Sequence, residues 1–172
     1  MARTKPDKLP DLLREGLDVV FVGTAAGARS AELRQYYAHP GNKFWRTLHD
    51  IGLTPRLIAP SGYSALLDCG IGATDLCKTQ AGGDHQIDDY DVEGFAQKMR
   101  LYRPRAVAFT SKKGGSLFLG CSTGDIDFTK HPIVAKDFPA VFVLPSPSGR
   151  AGGYWDIEPW RALARWVKAA KA

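Results

Sequence analysis

"LDVVFVGTAAG" (residues 17–27) sets Val19, Val20, Phe21 and Val22 in an unbroken apolar run that ends on glycine at position 23. A run without polar alternation is the pattern of a short strand covered on both faces, as in a parallel sheet. Two further runs repeat it, "AVAFTS" (residues 106–111) and "AVFVLPS" (residues 140–146). Between them lie amphipathic segments. "NKFWRTLHDIGL" (residues 42–53) places Phe44, Leu48 and Ile51 on one helical face, and "DVEGFAQKMRLY" (residues 91–102) does the same with Val92, Phe95 and Met99. A last helix is expected to begin near Pro159, where proline fits the first turn, and to carry Trp160, Leu163 and Val167 inward. Strands alternating with helices predict an α/β sandwich with a mostly parallel sheet, which binds ligands beyond the carboxyl ends of its strands. The loops expected at that end are "GTAAGARS", "TSKKGGS" and "LPSPSGR". The polar, glycine-rich "QAGGDHQIDDYD" (residues 80–91) reads as a surface loop.

Composition narrows the setting. With 172 residues, 44% of them hydrophobic, the chain suffices for one domain over residues 1–172 with a real core. Lys plus Arg number 23 against 18 Asp plus Glu, a net charge of +5 that is compatible with a polyanionic partner. Three widely spaced cysteines suggest neither a disulfide framework nor a metal or iron–sulfur site, and a reducing cytoplasm is the expected compartment. No apolar run approaches the ~18–20 residues that span a bilayer, and the basic start lacks the apolar centre of a secretory signal. No membrane partner is expected.

Four motifs carry possible chemistry, and each has a plain alternative. "GTAAG" is neither a P-loop nor a dinucleotide fingerprint, since G-x-x-x-x-G-K-[ST] and G-x-G-x-x-G are both absent. It is either a tight strand-to-helix turn or an anion-binding turn helped by Arg29 and Ser30. "YYAHPGNKFW" (residues 36–45) is either core and loop, or aromatic and amide groups arranged to sandwich and read a base. In "GIGATDLCKT" (residues 70–79), Asp75 is either solvated or capping, or a general base facing a pocket. In "LPSPSGRAGGYW" (residues 144–155), small residues let backbone amides approach phosphate, and Arg150 is either a surface cation or a group that reaches into a duplex. A zinc nucleobase deaminase is excluded, because His39 opens no H-x-E and no P-C-x-x-C occurs.

Taken in order, these motifs resemble the uracil-DNA glycosylase superfamily, and within it the mismatch-specific uracil/thymine branch, over roughly residues 19–166. In that family the corresponding motifs read G-I-N-P-G, A-H-P-x-N-x-F-W and L-P-[NS]-P-S-G. This chain has "GTAAG", "AHPGNKFW" and "LPSPSG". The resemblance implies a three-layer α/β/α sandwich around a four-stranded sheet, acting on uracil-containing DNA as a monomer with no cofactor and no metal. It places Gly23, Thr24, Ala25 and Ser111 along the base pocket, with Tyr37 as the aromatic that stacks on a flipped base. Ser146, Ser148 and Gly149 would pinch the DNA backbone, Arg150 would enter the gap left by the extruded base, and Arg29, Lys112 and Lys113 would meet phosphates.

One departure matters more than the matches. The asparagine that positions water in the family's glycine turn is Ala25 here, so the catalytic group is sought elsewhere. Asp75 is the first candidate, from the family's G-x-T-[DN] segment, and Asn42 the second. The late loop also lacks the histidine of the main uracil-DNA glycosylases. The expected reaction is hydrolysis of the uracil N-glycosidic bond. Alternatives are hypoxanthine or thymine as main substrate, or a non-catalytic module that binds uracil or abasic DNA.

Overall fold

Four strands form one all-parallel sheet in the order β2–β1–β3–β4: β1 (Val19–Ala26), β2 (Ile71–Ala81), β3 (Ala106–Phe109) and β4 (Ala140–Val143). The computed structural model describes residues 5–171. β1 is central, and its alternate side chains feed two separate cores. Val19 and Phe21 face Phe44, Leu48, Trp160 and Leu163, while Val20 and Val22 face Phe95, Met99, Phe109 and Ile126. The first layer holds α2 (Phe44–Asp50) and α5 (Glu158–Ala169). The second holds α3 (Val92–Tyr102) and α4 (Lys112–Leu119). The three-layer sandwich follows from covering both faces.

The helices pack as their periodicity predicts. α5 starts one residue before Pro159 and buries Trp160, Leu163, Ala164 and Val167, a single stripe three to four residues apart. Phe44 and Leu48 of α2 are buried, as are Phe95 and Met99 of α3, whereas Val92 is only partly so.

Two local expectations are corrected. "GTAAG" is not a turn, because β1 continues through Gly23, Thr24 and Ala25 to Ala26, pairing Gly23 with Asp75 and Ala25 with Cys77 before a register break. The chain turns only at Gly27, which precedes the short helix α1 (Ala28–Leu33). Likewise "GIGATDLCKT" is most of a fourth strand, and Gln80 and Ala81 of the supposed surface loop complete it.

Both edges of the sheet are covered. On the β2 side an N-terminal arm bridges Leu12 to Ala73 in antiparallel fashion, with reciprocal hydrogen bonds of 2.9 and 3.0 Å. Asp11 of that arm accepts from Thr74 (2.6 Å) and pairs with Lys78 (2.7 Å) and Lys98 (2.6 Å). Burial alone would raise the Asp11 pKa, but Lys78 and these hydrogen bonds outweigh it and hold the carboxyl below its ordinary value. On the β4 side Lys130 bridges Phe142, also antiparallel. These bridges occupy part of each edge ladder, which blunts it toward another chain.

Candidate active site

The site lies at the carboxyl ends of β1, β2 and β3, on the face that carries Phe21 and Phe44. Gly23 and Asp75 are register partners on adjacent parallel strands, so their side-chain positions stand side by side on that face. The Asp75 carboxylate occupies the space a side chain at position 23 would need, and a Cβ on Gly23 would collide with Oδ1. Glycine is therefore required at 23 for room, not for a turn.

Asp75 is 7% exposed, and among the described residues no donor reaches its carboxylate. Burial is the main cause that pushes its pKa up to about 6; Asp11 adds to the rise and Lys78 works against it. A carboxylate of this kind is ionised at neutral pH yet basic enough to take a proton. That combination is characteristic of a working acid or base.

Tyr37 stands over the same point, its hydroxyl 3.8 Å from where a Gly23 Cβ would be. Its ring stacks on Phe44 with centroids 3.9 Å apart and planes 21° from parallel. Phe44 in turn meets Phe21 and Trp160 edge-on, so Tyr37 is the outermost ring of an aromatic stack rooted in the core. Tyr37 has φ +49°, a left-handed conformation that costs a non-glycine residue about 1 kcal/mol or more. The segment is held there from both sides: Ala38 N donates to Ser30 Oγ (3.0 Å) and Trp45 Nε1 donates to the Tyr36 carbonyl (3.1 Å). Burial and then the Asp75 charge raise the Tyr37 pKa, so the phenol keeps its proton.

Thr110 closes the group. Its Oγ1 lies 3.3 Å from the Tyr37 hydroxyl and 3.3 Å from the Val22 carbonyl. Thr110 was not singled out in the sequence, although counting by twos from Ala106 and Ala108 on β3 puts it on the Gly23–Asp75 face.

The other predicted residues divide into supports and outliers. Asn42 Oδ1 accepts from Phe44 N (3.0 Å), which fixes the start of α2 beneath the Tyr37 ring. His39 Nδ1 accepts from Gly41 N (2.9 Å) and so serves its own turn. That turn packs on the late loop. Lys43 N donates to the Pro147 carbonyl (2.8 Å), and the Gly41 and Gly149 backbones approach so closely that a Cβ on Gly149 would lie 3.2 Å from the Gly41 oxygen. Ser146 and Ser148 accept from Ser148 N and Arg150 N within the late loop, and the Arg150 guanidinium lies beside Gly83. Thr24 alternates to the opposite face, where its hydroxyl donates to Asp84 (3.0 Å); only its backbone remains available to the site. Ala25 shares the face of Gly23 one pair further on. Ser111 caps α4 through Gly114 N (3.1 Å), and the Lys112 ammonium rests 4.8 Å above the Phe128 ring. Arg29 is exposed on α1, and no contact ties it to the carboxylate.

The family model of the uracil DNA glycosylase superfamily matches residues 10–168, nearly the whole chain. The fold is similar to the solution NMR structure of a Methanosarcina acetivorans protein provisionally described as a uracil DNA glycosylase. The TM-score is 0.59 with 23% identity, covering 95% of this chain and 98% of that one. At that identity the likeness is one of fold. Among the described residues no helix is long and apolar enough to cross a membrane.

Proposed function

The chain belongs to the uracil DNA glycosylase superfamily, and from that premise we propose that it excises uracil from DNA by hydrolysing the N-glycosidic bond, with Asp75 as the catalytic carboxylate. The observation that carries this reading is the buried, donor-free Asp75 carboxylate set against Gly23 beneath the Tyr37 ring. It supplies a base near the end of the strand that in this superfamily carries the asparagine this chain replaces with Ala25.

Cleavage of the bond leaves positive charge on the sugar and negative charge on the base. A carboxylate ionised above pH about 6 stabilises the first charge and takes a proton from the attacking water. The second charge needs donors that are already in place. β1 pairs with β3 only as far as Val22, whose carbonyl accepts from Thr110 N (3.0 Å). Strand groups alternate sides, so the Thr24 peptide N–H turns toward the side β3 has vacated and is suited to a uracil oxygen. The face of Tyr37 away from Phe44 is where a flipped base would stack. The joined loops around Gly41 and Gly149, with Arg150 beside them, form the surface that would grip the DNA backbone and enter the gap left by the base.

The test is direct. An oligonucleotide with one uracil, incubated with the protein and then treated with alkali, is expected to break at that position, with a rate that climbs as pH rises through about 6. Intact strands would favour a binding module over an enzyme. Thymine and hypoxanthine substrates in the same assay define the base range.

Asn42 is assigned a supporting role. Asn42→Ala removes the acceptor for Phe44 N and is expected to lower stability by about 1 kcal/mol, the usual worth of such a cap. The loss is readable as a shift of the denaturant midpoint, while excision falls by less than roughly tenfold, short of what a general base contributes. A larger kinetic loss in Asn42→Ala than in Asp75→Asn would transfer the catalytic role to Asn42.

A further inference from the structure

Lys43 belongs to the "YYAHPGNKFW" motif, yet its side chain has no part in the site described above. Its place is distinctive, because this one residue touches both ends of the late loop. The Lys43 amide donates to the Pro147 carbonyl (2.8 Å) near the start of the loop, and the Lys43 ammonium stands 5.6 Å from the centre of the Trp155 ring at its end. That ring is anchored in turn, with its centroid 5.8 Å from that of the fully buried Trp160. Between Pro147 and Trp155 the loop carries Ser148, Gly149 and Arg150, and Gly149 packs on Gly41, two residues before the lysine. Lys43 therefore sits on the seam that joins the two loops.

The charge held there is unanswered. Lys43 is half-buried, and among the described residues no carboxylate pairs with it. The acids that follow Trp155 are engaged elsewhere: Asp156 accepts from Glu158 N (2.9 Å), and Glu158 pairs with Arg161. The first turn of α2 holds no acidic residue. An aromatic face attracts an ammonium and orients it, but it carries no net charge, so the lysine keeps its full charge for an anion. The loop beside it offers donors of a matching kind. Ser146 and Ser148 accept from loop amides through their oxygens, which leaves each hydroxyl its own proton to donate.

We propose that Lys43 is a further DNA-binding residue, which grips a single backbone phosphate of a DNA duplex together with the late loop while the Trp155 ring holds its ammonium in place. The choice of anion rests on the reading of the chain as a DNA glycosylase. A lysine acts on phosphate as a point charge and reads no base, so the contact adds affinity on any sequence.

The experiment measures binding of a uracil-free duplex oligonucleotide by fluorescence anisotropy across a salt series from about 50 to 200 mM. Lys43→Met keeps the length of the side chain and removes the charge. The slope of log affinity against log salt is expected to become shallower by about 0.9, the share of one phosphate contact. Lys43→Arg should restore the parental slope. Lys136→Met removes an equal charge near the amino end of β4, away from the site, and should leave the slope unchanged. Methylphosphonate substitution, one phosphate at a time, supplies a second readout that a merely structural lysine would not move. Neutralising one particular phosphate should weaken the parent and cost Lys43→Met nothing. An unchanged slope in Lys43→Met, an equal change in Lys136→Met, or the absence of any phosphate coupled to Lys43 overturns the proposal, as does a parent that binds no duplex. Excision of uracil with no such coupling would remove Lys43 alone and keep the glycosylase reading; coupling without excision would do the reverse.

Discussion

Asp75→Asn is expected to lose about 10²- to 10⁴-fold in the rate of uracil excision, the usual contribution of a positioned general base, and to gain stability at neutral pH in the same step. The gain follows from the sign of the perturbation. Burial raises the Asp75 pKa to about 6 in the folded chain, above its ordinary value of 3.8. The folded protein therefore holds this proton more tightly than the unfolded chain does. The stability it contributes is fully present below pH about 4 and is lost as pH rises through about 6. Asparagine has no such proton to lose, so the variant should match the parent at pH 4 and exceed it at pH 7 by up to about 3 kcal/mol. Denaturant titrations at the two pH values, beside single-turnover excision assays, measure both halves. Equal stability at pH 7 would mean the carboxylate is not confined as the fold implies, and full activity would remove it from the chemistry. A side chain that is costly to the fold and needed for the reaction marks a site kept for function.

How far the sequence disclosed this arrangement depends on the type of strand involved. β1, β3 and β4 were legible because covering both faces demands unbroken apolar runs, as at Val107, Ala108 and Phe109. β2 was hidden because polar residues interrupt it and find their partners on the N-terminal arm: Thr74 and Lys78 look like loop chemistry until Asp11 is placed against them. The extension of β1 through Thr24, Ala25 and Ala26 was hidden for another reason. Ala25 and Ala26 have little strand preference of their own, and the conformation there is imposed by pairing with β2 up to the register break before Ala26. Asp75 itself could be nominated from its neighbours in the sequence. Its partnership with Gly23 could not, because it depends on a register between strands about fifty residues apart. Thr110 went unnoticed because a threonine after an apolar run is ordinary until the opposite ring of Tyr37 is known.

Gly23→Ala should be nearly as damaging as loss of the carboxylate, although it adds only a methyl group. The new Cβ would collide with Asp75 Oδ1 and force the buried carboxylate from the place it holds near the Tyr37 hydroxyl. Overpacking of this kind costs about 1–3 kcal/mol, and a catalytic group displaced by about an ångström loses roughly 10²-fold in rate. Gly27→Ala is the matched control, since a Cβ at that end of the same motif meets nothing within 4 Å and its backbone is extended; stability and excision should stay close to parental. A double-mutant cycle separates crowding from any general intolerance of alanine in β1. Trimming the partner in Gly23→Ala/Asp75→Ala should restore the stability lost in Gly23→Ala while leaving the protein inactive, because the methyl then occupies vacated space and no base remains. Additive losses in that cycle, or an active Gly23→Ala, would mean that Gly23 and Asp75 do not share the space they occupy here. The glycine would then return to the role its sequence first suggested, a backbone turn. With the coupling confirmed, Gly23 is the residue that makes room for a carboxylate on the neighbouring strand, and the missing asparagine at Ala25 is answered one register pair away.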